Sequence, residues 1–361
     1  MGGFYKDTPH PPLRGDLPHK GGGKVEGGGR VNALPSAIRT VRWMVRDTFR
    51  QSIATRLFWV MLGLTGLCTL FCLGISVKGD DRRPKHPHEL PLYMPRSEAT
   101  PEVIKEGIMV AGGEVSLGFG LIKFDIGKNR ADSIKLIQLW LAGILADTAG
   151  VLLALLWTAG FLPTFLEPHA VTVLLAKPAP RWSILAGKYA GVVLFVTLQA
   201  TLFVAGTWFA LGASTGVWDG SYWFAVPLLV VNFAVFYAFS SFLAVCTRST
   251  VVSVFGTLLF WLLCWGMNFT HHRMVGFDVQ GIAPVAAFLM DAGYWVLPKP
   301  LDMSGLFFDA MKANEVSLPV PELEAMQKRG ALHPELSVAA SLLFAVGLLA
   351  LAAYEFKTMD Y

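Results

Sequence analysis

The chain has 361 residues, 53% of them hydrophobic and only 16% charged, with a formal net charge of +4 and a mean hydropathy of +0.50. A soluble chain of this length makes about two domains with roughly a quarter of its residues charged. Here charge is sparse and the apolar residues lie in long blocks, which excludes a soluble enzyme, a disordered regulator and a nucleic-acid binder.

Residues 1–35 are rich in Gly, Pro and His, with glycine runs at 21–23 and 27–29. Such a composition cannot bury a core and reads as a disordered cytoplasmic tail. No signal peptide is visible before the first apolar block, so that block is expected to be a membrane anchor rather than a cleaved leader. Ser36 is suited to cap a helix starting after Pro35. From there Ile38, Val41, Val45 and Phe49 recur at three- and four-residue spacing, and Arg39, Arg42, Arg46 and Arg50 form a parallel stripe. This predicts a basic amphipathic entry helix at the headgroups. It serves either as a positively charged flank alone or as a surface that also meets a cytoplasmic partner.

A hydrocarbon layer about 30 Å thick takes roughly 20 apolar residues per helix. Six blocks qualify, at 57–77, 136–161, 184–211, 224–246, 251–267 and 336–354. They lack the period-two alternation of barrel strands, so they are expected to be helices that satisfy their own backbone. The expected fold is therefore an all-α polytopic membrane protein of six transmembrane helices over residues 36–361. Orientation follows the short loops. Arg39 to Arg56, Lys177 with Arg181, Arg248 and Lys357 mark one side, whereas the 212–223 loop has no Lys or Arg. Both termini are thus expected in the cytoplasm. Lys78, Arg82, Arg83 and Lys85 run against this, but their loop is long and also carries Asp80, Asp81 and Glu89. Two long segments, 78–135 and 270–335, then lie outside. In the first, 101–111 has the pattern of a short helix; in the second, 282–297 is too short for a span and reads as re-entrant or interfacial.

The link between the second and third spans is the richest stretch. After Glu167, the residues Val171, Leu174 and Leu175 give a short helix one apolar face. Lys177-Pro178 ends it, since the residue before proline avoids the α region. Pro180-Arg181 then turns the chain into the next span. A short rigid helix in this place suits a contact that transmits force. The string Leu174-Leu175-Ala176-Lys177-Pro178, then Arg181, Ile184-Leu185 and Gly187-Lys188, resembles the permease subunits of ABC-2 type transporters. That family usually shows Leu-Leu-Ser/Ala-Lys/Arg-Pro-Val-Ser-Arg before a Gly-Lys that opens the third helix. The resemblance runs from about Ala33 to the end; it departs at Pro180, where Ser is common, and does not account for the leader. It implies a fold of the ABC-2 permease type, paired with a second copy or homologue in the cell membrane. It also implies separate ABC ATPase subunits that bind ATP and Mg, with Glu167, Val171, Leu174, Leu175, Lys177, Pro178, Arg181, Gly187 and Lys188 forming the cytoplasmic coupling segment. The sequence has no G-x-x-x-x-G-K-[ST] phosphate loop; Gly187-Lys188 is followed by Tyr189. A cofactor held by this chain is not expected.

Few residues invite a catalytic reading. Asp147 lies mid-span, where an ionised carboxylate costs roughly 2.5–3.5 kcal/mol. It either lines a pathway or is hydrogen-bonded at a helix contact. Asn232 and Gln199 read as interhelical glue. His271, His272 and Met274, with His86 and His88, match no defined metal-site spacing and read as solvated loop residues. Cys68 and Cys72 share a helix face and read as packing residues. Two rival functions stand beside the transporter. A secondary transporter calls for charged midplane residues, of which only Asp147 is present, and an anchor or assembly subunit has no need of the Lys177–Arg181 turn.

Overall fold

The computed structural model describes residues 33–79, 94–95, 110–111, 113–126, 130–166, 180–277, 283–313, 326, 330 and 333–358. Most of the proposed tail, 1–32, lies outside them. An entry helix α1 (Ala33–Ala54) precedes six helices that are long and apolar enough to cross a membrane. These are α2 (Arg56–Leu73), α3 (Arg130–Phe165), α4 (Arg181–Thr215), α5 (Ala225–Thr247, entered by a 3-10 turn from Gly220), α6 (Thr250–Phe277) and, last in the chain, α9 (Pro334–Thr358). The number of spans agrees with the apolar blocks. Their ends differ: the first span stops at Leu73, where Gly74 caps it and the chain turns into a strand at Ser76, while others run past the last apolar residue. Arg248, for example, closes α5 in the left-handed region at φ 52°.

Two differences bear on function. The segment before α3 carries strands, β1 (Ser76–Gly79), β2 (Met94–Pro95), β3 (Val110–Ala111), β4 (Gly113–Leu117) and β5 (Ile122–Ile126). β1, β4 and β5 form an antiparallel sheet in that order, with Val77 opposite Val115 and Val115 opposite Phe124. Val77 and Val115 pack with Cys72, Ile75, Ile134 and Leu211, which seats the sheet on the ends of α2, α3 and α4. Of the helix expected at 101–111, only 110–111 is described, and it is strand, paired in parallel with β2. Strands of two to five residues leave too few positions for alternation to show. The second difference lies in the segment after α6. It holds two short helices, α7 (Pro284–Val296) and α8 (Pro300–Ala310), folded as a hairpin. Met303 near the tip packs with Val235, Ala238 and Ala345, deep along α5 and α9. At the other end of α8, Met311 Sδ accepts from Ser221 Oγ at 3.2 Å, beside the start of α5. The hairpin therefore reaches into the bundle from the same side as the sheet.

The contact that positions everything on the opposite side is α1 against α4. A Cβ on Gly187 would lie 2.7 Å from Met44 Cβ, and one on Gly191 would lie 2.8 Å from Thr48 Cβ. These two glycines, four residues apart, form a notch that admits the α1 backbone, in the manner of small-residue helix crossings. Sequence patterning placed the packed face of α1 on Ile38, Val41, Val45 and Phe49. Instead the fully buried line is Ala37, Met44, Thr48 and Ser52, and Ile38 is 64% exposed. The notch takes in the α1 backbone at Val41 and Val45 and the inner carbons of Met44 and Thr48. Thr48 fits because its hydroxyl donates to its own Met44 carbonyl at 2.9 Å. α1 begins at Ala33, so Ser36 lies inside the helix rather than at its cap.

Gly191→Val should therefore separate the two helices, whereas Gly66→Ala, whose added Cβ meets nothing within 4 Å, serves as the control. Overpacking of this kind costs about 1–3 kcal/mol, so thermal unfolding in detergent should drop for Gly191→Val and stay unchanged for Gly66→Ala. Equal midpoints would show that the notch is not a close contact.

Candidate functional site

Of the coupling residues, Glu167, Val171, Leu174, Leu175, Lys177 and Pro178 lie outside the described residues. What frames them is well defined. Arg181 opens α4, and its Nη1 donates to the Lys357 carbonyl in the last turn of α9 at 3.2 Å. Gly187 is spent on the α1 notch. Lys188 is only 1% exposed, so it does not reach out to a partner as expected. Its ammonium donates to Gln51 Oε1 at 2.5 Å and lies 3.7 Å from the Asp47 carboxylate, both on α1. It also sits 5.5 Å above the Phe165 ring, where α3 ends. The Gly187-Lys188 pair thus ties α4 to α1 and to the last turn before the link. Arg39, Arg42, Arg46 and Arg50 are exposed on α1, away from that contact.

Asp147 sits in a π-helical stretch of α3, Leu139–Gly150. Such wide turns are common at functional positions. Asn232 Nδ2 of α5 donates to its Oδ1 at 2.7 Å, and Ser304 Oγ of α8 donates to its Oδ2 at 2.5 Å. Asp147 therefore fastens the hairpin to two spans. Gln199 of α4 bonds α2 through Thr65 Oγ1 at 2.8 Å and the Met61 carbonyl at 3.3 Å. Both amide residues join helices, as the sequence suggested.

His271 and His272 behave differently from expectation, while His86 and His88 lie outside the described residues. α6 runs on to Phe277, and His271 and His272 are buried, at 7% and 2% exposure. Asp302 of α8 is the centre of their surroundings. Its Oδ1 accepts from His272 Nε2 at 2.6 Å and Asn268 Nδ2 at 3.0 Å, and its Oδ2 from Tyr294 OH at 2.7 Å and from Ser337 Oγ. One carboxylate thus gathers α6, α7 and α9 around the hairpin tip. His271 stacks on Tyr294 with ring centres 3.7 Å apart. The ammonium of the buried Lys299 lies 4.9 Å from the centre of the same Tyr294 ring. All four hydrogen bonds to Asp302 point a donor at the carboxylate, so its buried oxygens are satisfied. Among the described residues, no three His, Cys, Asp or Glu side chains are grouped to hold a metal. Asp302 escaped the sequence reading because its partners come from three separate helices. The one local sign was the Pro298-Lys299-Pro300 break followed by a carboxylate.

Asp302→Ala leaves four donors facing a void. A buried polar group left without its partner costs about 1–3 kcal/mol, so its thermal midpoint at pH 7 should drop by several degrees. A midpoint equal to the wild type would refute the network.

Comparison with curated proteins gives no match. The family described as "ABC-2 family transporter protein" matches residues 42–272, from the middle of α1 to His272 in α6 and so well over half of the chain. The matched region contains α2 to α5, most of α6, the link and the glycine notch that seats α1. Six membrane-spanning helices and this match together place the chain, a multi-pass membrane protein, in the ABC-2 transporter family as a permease.

Proposed function

We propose that this chain is the membrane-spanning half of an ABC exporter in the cell membrane, pairing with a second copy or a homologue. ATP, with Mg, is bound and hydrolysed by separate ABC ATPase subunits, and both termini of this chain lie in the cytoplasm with them. The observation that carries the reading is the family match across α1, the link and α4, joined to the way α1 and α4 are fastened to each other. Force applied at 167–179 enters α4 through Arg181, which also holds the last turn of α9. Lys188 and the glycine notch make α1 move with α4. The exposed arginines of α1 then face the bilayer surface or an acidic ATPase face. On the far side, Asp147 and Ser304 join the hairpin to α3, where a change in helix spacing alters access to the interior.

In this reading Val171, Leu174 and Leu175 are the apolar anchors in the ATPase, and Glu167, Lys177 and Pro178 set the shape of the link. Changing Leu174 and Leu175 together to Asp should leave membrane insertion intact, since neither lies in a span. Truncating a single hot-spot residue can already cost about 2 kcal/mol or more. The expected result is loss of the copurifying ATPase, or hydrolysis without transport in proteoliposomes. Wild-type copurification together with wild-type transport would overturn the coupling assignment.

A further inference from the structure

Between α2 and α3, with α4 and α5 behind them, lies a cleft of about 120 Å³. The π-helical stretch of α3 makes one wall with small residues, among them Ala146, Ala149 and Gly150. Thr65, Cys68 and Gln199 are the polar side chains of the lining; the rest is hydrocarbon with one thioether. The amide of Gln199 has a defined orientation. Its Nε2 donates to the Met61 carbonyl, which can only accept, and to Thr65 Oγ1. Its Oε1 is then the acceptor left over, and it finds no donor among the described residues although Gln199 is only 7% exposed. A buried acceptor without a partner costs about 1–3 kcal/mol, and such atoms in folded proteins are uncommon.

The position decides what can arrive. Thr65 and Gln199 lie midway along α2 and α4, at the depth of the hydrocarbon. The rim residues Leu64, Leu145 and Leu153 are 39–44% exposed, so the cleft opens on the outer surface of the helix bundle. We propose that this cleft binds a membrane-dissolved amphiphile, an alkyl chain carrying a hydroxyl or amide N–H that donates to Gln199 Oε1. Calling that ligand a transported substrate rests on the permease reading above; its binding does not.

The test uses the full chain alone in lipid nanodiscs with two photoactivatable probes, a diazirine-bearing hexadecanol and its methyl ether. The alcohol should label α2 and α3 peptides about fivefold more than the ether, the value of one neutral hydrogen bond. Gln199→Leu should abolish that preference. On the wild type, which needs no variant to fold, excess unlabelled hexadecanol should displace the label and hexadecane should not. Equal labelling by alcohol and ether would overturn the proposal, as would label confined to α6 and α9, or a cleft kept free of label by a second copy. No ATPase is present, so such a result removes the site and leaves the permease reading to stand or fall on the Leu174 and Leu175 variant.

Discussion

A lysine buried among membrane helices has to find its countercharge and acceptors locally, and Lys188 finds both on α1, in Asp47 and Gln51. Pulling α1 away would leave that ammonium in an apolar interior, where an unpaired charge costs several kcal/mol. The glycine notch works in the same direction: at Gly187 and Gly191 the two backbones approach too closely for any side chain. Electrostatics and close packing thus converge on one short stretch of α4, immediately after the link. The entry helix and the third span are fastened as one body, so under the proposed coupling a push on the link would bear on both helices rather than on one.

A second set of polar contacts governs the other side of the bundle. Asp302 draws donors from α6, α7 and α9, and Asp147 draws them from α5 and α8. Both carboxylates hold the α7–α8 hairpin, whose tip lies level with the middle of α5. The two bodies meet across an apolar core, in which Val192 and Phe195 of α4 join Phe233 and Phe236 of α5. Polar contacts cross it as separate bonds: Tyr189 OH of α4 donates to the Ala234 carbonyl of α5 at 2.8 Å, and Arg181 to the Lys357 carbonyl. An apolar surface with few directional bonds suits a protein in which one group of helices moves against another.

The spans were legible because the bilayer imposes a length and a composition that any apolar block reveals. The link string was legible as well, although its described frame begins only at Arg181. What escaped depended on residues far apart in the chain. His271 and His272 look like loop residues until Asp302, thirty positions on, is brought beside them. Lys188 reads as a surface charge until α1 covers it. The packed line of α1 was missed by one position, since periodicity identifies large apolar residues and cannot foresee a glycine notch that takes in Thr48. The wide turns around Asp147 leave no compositional trace.

The central claim, that α1 and α4 travel together, is open to a direct distance measurement. Spin labels at Arg46 and Trp182, both exposed, would report the α1–α4 separation by pulsed electron resonance in the complex with its ATPase, nucleotide-free and trapped with ATP and vanadate. The account predicts one unchanged distance distribution in both states, while a second pair from α1 to the exposed Arg248 beside α5 shifts. A change between Arg46 and Trp182 on trapping would contradict it.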